Sequence, residues 1–240
     1  MSEDQVIFAG QSNALGFGNT GPAPYTPTAQ VQIWTDTNGD GTPDAWNYMN
    51  PGVNTGTFAN PTVWGPEVEF ANEWLADNPT GHLWIVKVTK GETALQENSG
   101  LDWAPTSPST EMFGIATATI DAARNNLNGS PYAFSQWDAA FWMQGETDAG
   151  TYQWAHDYVT NIANFIPAAK AAWDVGKFAL GQIGTQGADW AWVRYGQAVA
   201  PDDAAPVDTV NFGRSDGVHL NAAGQVALGD GFYSIFDSWF

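Results

Sequence analysis

Four stretches of the chain are short and almost continuously apolar: VIFAG (6–10), HLWIVKV (82–88), AAFWM (139–143) and KFALGQI (177–183). Strands that face solvent on one side alternate apolar and polar residues. Strands covered on both faces do not, and that is the signature of a parallel sheet between two layers of helices. VQIW (31–34) is a weaker fifth candidate.

The intervening segments carry the helical period that such a fold requires. Pro66 sits at a first helical position, with Val68, Ala71 and Leu75 on one face of the helix it opens. Residues 111–127 form a second helical segment. Thr151 can cap a third, in which Ala155, Tyr158, Val159, Ile162 and Ile166 fall on one stripe, with Pro167 expected to end or kink it. Asn221 is placed to cap a last helix through Phe236. Alternating strands and helices over 240 residues predict one three-layer α/β domain spanning 1–240, with a parallel sheet of about five strands. Ligands in such folds bind beyond the carboxyl ends of the strands.

Composition narrows the partners. Twenty-six acidic against seven basic residues give a formal charge of −19. That is too few cations to line a phosphate backbone or an anionic lipid surface, so neither nucleic acid nor membrane is expected as a partner. No apolar run approaches the roughly 18 residues of a membrane span, and the start MSEDQVIFAG lacks the features of a signal peptide. Cysteine is absent, which removes thiol nucleophiles and disulfides. Of thirteen Trp, five lie in loop-like sequence: Trp46, Trp64, Trp103, Trp190 and Trp192. Flat aromatic faces suit sugar rings, but packing in the core and loops is the favoured reading for any one of them.

The first strand halts at Gly10 and presents Gln11, Ser12 and Asn13 just past its carboxyl end. A serine hydroxyl is a weak nucleophile until a base takes its proton. Three histidines are available. His82 opens a strand, at the opposite end of the sheet; His156 lies inside a helix; His219 lies in SDGVHLNAAG, three residues after Asp216, an acid placed to orient its ring. His219 is thus the candidate base. Gly91, in KVTKGETAL, offers a backbone N–H that a substrate can approach closely. Gln144 and Glu146, in FWMQGETD, leave the next strand on the same edge, and Gln144 could offer an amide N–H.

These blocks, GQSN (10–13), KGETAL (90–95), WMQGETD (142–148) and DGVHL (216–220), together with WGPE (64–67), resemble those of the SGNH hydrolases, in the same order from Val6 to about Gly224. The branch they are most similar to is the sialate O-acetylesterase-like group that includes family 6 carbohydrate esterases. The resemblance implies a flavodoxin-like α/β/α fold and hydrolysis of acetyl esters on a sugar. It implies Ser12 as nucleophile, His219 as base and Asp216 as its orienter. The oxyanion hole would be the N–H groups of Ser12 and Gly91 plus the Gln144 side chain, with Gln11, Asn13 and Glu146 in support. Two positions depart from the family pattern: Glu92 stands where a second glycine is common, and the Gln144 block replaces Gly-x-Asn-Asp. GQSNA also lacks the last glycine of the G-x-S-x-G elbow, which disfavours an α/β-hydrolase lipase.

The expected partner is an acetylated carbohydrate; the compartment is left open, with the outside of the cell, its surface or a virion favoured on substrate grounds. No cofactor is required by this chemistry. DTNGDGTPD (36–44) puts Asp36, Asn38, Asp40 and Asp44 at the spacing of a calcium loop, so a structural calcium is a separate expectation, against which stands a simple turn rich in Asp, Asn and Gly. An SGNH esterase of lipid or other acyl esters, and a non-catalytic carbohydrate-binding or virion structural domain, remain as alternatives. Oligomeric state is left open.

Overall fold

The computed structural model describes residues 2–19, 21–35, 45–57, 60, 62–201 and 204–240. The Asp36–Asp44 loop, and with it the calcium expectation, lies outside the described residues.

The chain builds a seven-stranded sheet from β1 (Glu3–Gly10), β2 (Val31–Thr35), β3 (Asn47–Tyr48), β4 (His82–Thr89), β5 (Trp137–Met143), β6 (Val175–Gln182) and β7 (Ala204–Asp208), ordered β3-β2-β4-β1-β5-β6-β7. All neighbours are parallel except β2 and β3. Without the β3-β2 edge, the order β4-β1-β5-β6-β7 is the flavodoxin-like 2-1-3-4-5 arrangement. VQIW is therefore an added outer strand, and the fifth strand of the central set is β7, which sequence reading misses. Its segment AAPVD carries Pro206 and buries only Val207, as suits an edge.

Among the described residues six α-helices complete the layers: α1 (Ser12–Leu15), α2 (Glu67–Asp77), α3 (Met112–Leu127), α4 (Tyr152–Trp173), α5 (Trp190–Ala198) and α6 (Ala222–Asp237). On one face Phe8 and Phe141 of the sheet meet Phe70 of α2 and Phe232 of α6, with ring centroids 4.8 to 6.3 Å apart. On the other, Trp142 packs on Phe165 of α4 at 4.4 Å. Adjacent residues of β5 thus serve opposite layers, which is why its sequence is apolar without alternation.

Two helical expectations need correction. Pro167 neither ends nor visibly interrupts α4, which runs on to Trp173. Phe165, Ile166, Ala169 and Trp173 are all buried, and that burial on either side of the proline outweighs its missing N–H. Trp190 and Trp192 are not in a loop but in α5, whose buried face is only Val193, Gly196 and Gln197. The helix is only nine residues long and carries Gly196, so its sequence does not stand out from a loop. No helix among the described residues is long and apolar enough to cross a membrane.

Candidate active site

The register of the central strands assembles the site. Gly10 pairs with Thr89 on one side and with Met143 on the other, so β1, β4 and β5 end level with one another. The loops beginning at Gln11, Lys90 and Gln144 therefore leave the sheet side by side, at the switch point of the strand order. Gly10 has φ 137°, and a Cβ there would lie 2.1 Å from the Met143 carbonyl oxygen. Only glycine permits that approach, which lets the Gln11 N–H donate to the same oxygen at 2.9 Å. The strand stops there and α1 begins at once with Ser12.

A cleft of about 340 Å3 opens over this junction, lined among others by Ser12, Phe17, Gly91, Glu92, Glu146 and His219. Ser12 is only 6% exposed. A Cβ on Gly91 would sit 3.7 Å from that of Ser12, so the Gly91 backbone borders the serine directly. The Ser12 N–H opens α1 and the Gly91 N–H follows the end of β4; neither is engaged by an acceptor among the described residues.

His219 reaches the cleft from the loop before α6. Its Nδ1 is 2.7 Å from Asp216 Oδ2, while Asp216 Oδ1 accepts from the His219 and Val218 N–H groups at 2.8 and 3.0 Å. The His219 ring and these two N–H groups hold the Asp216 carboxyl down at about 2, although it is well exposed. Phe17 packs edge-on against the imidazole at 4.8 Å.

The two residues flanking Ser12 tie it to the neighbouring loops. Asn13 Oδ1 accepts from the Leu220 N–H at 2.8 Å, and its Nδ2 donates to the Val218 carbonyl at 3.2 Å and to Glu146 Oε1. It grips the chain on both sides of His219. Gln11 Oε1 accepts from the N–H groups of Gly145 and Thr147, both at 3.3 Å, and so holds the loop after β5. Glu146 keeps Oε2 shut from solvent and without a hydrogen-bond partner, and burial pushes its carboxyl up.

Gln144 is not where the sequence places it. The residue is fully buried, and its amide donates to the Thr93 carbonyl at 3.1 Å and to Asp148 Oδ2 at 2.5 Å, while Tyr158 donates to its Oε1 at 3.2 Å. With its hydrogens engaged behind the cleft, it does not line it. Asp148 in turn accepts from the Leu95 N–H at 3.0 Å, which locks the Gly91 loop to the loop after β5. Burial pushes the Asp148 carboxyl up to about 7, against the bonds from Gln144 and Leu95 that hold it down. Sequence reading missed Asp148 and Thr93, for nothing in a Thr or Asp of a polar loop says which way it faces.

A second buried element supports the serine turn from below. Lys87, wholly buried, pairs with Glu67 at 2.8 Å and donates to the Leu15 carbonyl, the last of α1, at 3.1 Å. Glu67 Oε1 also accepts from the Gly65 N–H at 2.9 Å, so the WGPE segment holds this pair in place.

The other histidines lie elsewhere. His82 pairs with Glu3 at the amino end of the sheet, and His156 is sandwiched between Tyr152 and Trp192 at 4.1 and 3.9 Å. The tryptophans mostly serve packing. Trp103 is fully buried and donates to Thr93 Oγ1, Trp64 is 4% exposed and donates to the Gly21 carbonyl, and Trp46 lies between Trp34 and Trp84. Trp192 alone of the five is well exposed, at 47%. Among the described residues no cluster of His, Asp and Glu could hold a metal ion.

Proteins of this fold are found among solved structures, whereas no curated protein matches the sequence. An Arabidopsis thaliana protein superposes with a TM-score of 0.77 at 19% identity, covering 98% of each chain. NanS gives 0.67 at 16% identity, over 99% of this chain and 97% of that one. A carbohydrate acetylesterase of Xanthomonas citri gives 0.66 at 19% identity, over 97% of this chain and 55% of its own. At such identities the likeness speaks for the fold. Membership comes from the family profile described as carbohydrate esterase, sialic acid-specific acetylesterase, which matches residues 2–237, nearly the whole chain. The chain belongs to that family of carbohydrate esterases, and its fold is the SGNH-type α/β/α sandwich.

Proposed function

We propose that the protein is a serine esterase that removes O-acetyl groups from a carbohydrate through an acetyl-Ser12 intermediate. The observation that carries the reading is the Asp216–His219 pair, closed at 2.7 Å, whose imidazole lines one cleft with Ser12 and Gly91. Asp216 accepts from Nδ1 and so keeps Nε2 as the basic nitrogen. Ser12 Oγ attacks the acetyl carbonyl carbon while Nε2 takes its proton. The carbonyl oxygen becomes an oxyanion, met by the N–H groups of Ser12 and Gly91. The sugar oxygen leaves with the proton that His219 returns, and a water activated by the same nitrogen releases acetate.

Gln144 enters this scheme as a support. Its amide and Asp148 hold the Gly91 loop against the loop after β5, and so fix the oxyanion donors without touching the substrate. The family supports a carbohydrate substrate, and a site of action outside the cell or on its surface fits such a substrate.

Acetate release from an aryl acetate and from acetylated xylan, by native protein and by Ser12→Ala, tests the reading. Loss of at least about a thousandfold in the variant is expected with its melting temperature kept. Native activity on the aryl ester alone would redirect the substrate to another acyl ester. A folded native protein inactive on both would end the serine-esterase reading and favour a binding domain.

A further inference from the structure

The mouth of the cleft carries a carboxylate at a position where the backbone itself is unfavourable. Glu92, next to Gly91, is exposed and lines the cleft. Its φ is 63°, in the left-handed region where a side chain crowds its own backbone and glycine is favoured. A residue other than glycine stays in that conformation only where its surroundings impose it, and such residues gather at working sites. The loop is indeed imposed: Lys90 N–H is bonded to the Gly10 carbonyl, the Thr93 hydroxyl to the Lys90 carbonyl, and Leu95 N–H to Asp148. A glutamate is thereby held beside the nucleophile at a site where the backbone favours no side chain.

Glu92 is the exposed acid of this mouth, whereas Glu146 lies enclosed behind it. Lys90 is the one lysine or arginine among the described lining residues. Arg214, behind Glu146, directs its guanidinium at the carbonyls of Thr209, Val210 and Phe212. The chain as a whole carries −19. A sugar bearing its own carboxylate, as a sialic acid does, would bring like charge to this mouth. We propose that Glu92 is a specificity-determining residue that selects neutral acetylated sugars over anionic ones. The inference rests on the esterase reading above, and it sets the charge of this cleft against the sialic acid for which the family is described.

The test compares kcat/KM for an O-acetylated sialic acid and an acetylated xylo-oligosaccharide, in native protein, Glu92→Gln and Glu92→Gly. Glutamine keeps the side chain and the strained backbone but removes the charge; glycine removes all three. The anionic-to-neutral ratio is expected to rise about five- to tenfold in both variants at low salt, the size of one contact between like charges in water. The gain should lie mainly in KM. Added salt should raise the native ratio toward that of the variants. An unchanged ratio, a ratio altered only by glycine, or no turnover of the sialic ester by either variant would overturn the proposal, since charge would not be what discriminates. Aryl acetate hydrolysis by the native protein is the control: if it fails, the esterase reading falls with the proposal, and if it succeeds, only the selectivity is at stake.

Discussion

The two sides of the cleft are held in opposite ways. The His219 side stands in solvent: Asp216 is 53% exposed at its side chain, and the loop is fastened by a few hydrogen bonds to Asp216 and Asn13. The side that carries Gly91 is fastened from behind by Gln144, Asp148, Thr93 and Gln11, nearly all out of contact with water. The exposed Asp216 is stabilised as an anion, and the enclosed Asp148 is stabilised as an acid. Water decides the difference. It solvates the first carboxylate while His219 sharpens its charge, whereas the second has only a fixed set of donors. On the proposed mechanism, one side carries charge during reaction and the other keeps shape.

That contrast predicts which substitutions touch rate and which touch stability. Asp216→Asn should lower kcat/KM about a thousandfold or more with only a small fall in melting temperature, because the side chain is exposed and its hydrogen bonds are screened by water. Lys87→Met should do the reverse. It leaves Glu67 buried and unpaired under the serine turn, which costs about 3–5 kcal/mol and, for a chain of this length, lowers Tm by roughly 6–20 °C. Removing both partners with Glu67→Leu should recover part of the loss. Thermal scans beside aryl acetate kinetics check all three. Equal loss of stability in Asp216→Asn and Lys87→Met would erase the distinction between the exposed and enclosed supports.

The pH dependence of stability sharpens the same comparison. Asp148 has a folded value of about 7 against 3.8 in the unfolded chain, so between those values the native state holds a proton that the unfolded state has lost. Stability from this group is therefore present at acid pH and lost as pH rises through about 7. Asp216, at about 2 against 3.8, acts oppositely: its contribution is present above 3.8 and lost as pH falls through about 2. Asp148→Asn should make the fall of unfolding free energy between about pH 5 and 6.5 less steep by about 1.4 kcal/mol per pH unit. Urea melts across that range measure it. A slope identical to the native one would mean that Asp148 is ionised throughout, and that its enclosure is less complete than its contacts imply.

Legibility in the sequence divides along the same line. The convergence of Ser12, Gly91 and His219 on one cleft is legible because parallel strands end on one edge and a serine nucleophile would demand a base; neither inference needs to know where a side chain points. Gln144 failed on that very point. Its type and position fit an oxyanion donor, but the neighbouring Asp148 and Thr93 draw its amide backward, and such competition for hydrogens is invisible in one dimension. The burial of the loop tryptophans is hidden for a related reason. Trp64 and Trp103 look exposed in Gly- and Pro-rich sequence, yet each is buried with its indole N–H bonded. Asn13 and Gln11 could be named as supports but not assigned their partners, which lie 133 to 207 residues away.

The smallest effect concerns the junction between the exposed loop and the layer beneath it. Asn221 comes directly after the His219 loop and caps α6, its Oδ1 accepting from the Gly224 N–H at 3.0 Å. Asn221→Ala should cost about 1 kcal/mol, the usual worth of an N-cap, and so lower Tm by roughly 2–4 °C. Its effect on kcat/KM should stay within about twofold, because the loop takes its position from Asn13, which grips Val218 and Leu220 from the side of Ser12. A rate loss of roughly tenfold or more, with Tm barely moved, would reverse the assignment. The histidine would then be aimed by the start of the helix, and the exposed side of the cleft would depend on the packed layer as much as the enclosed side does.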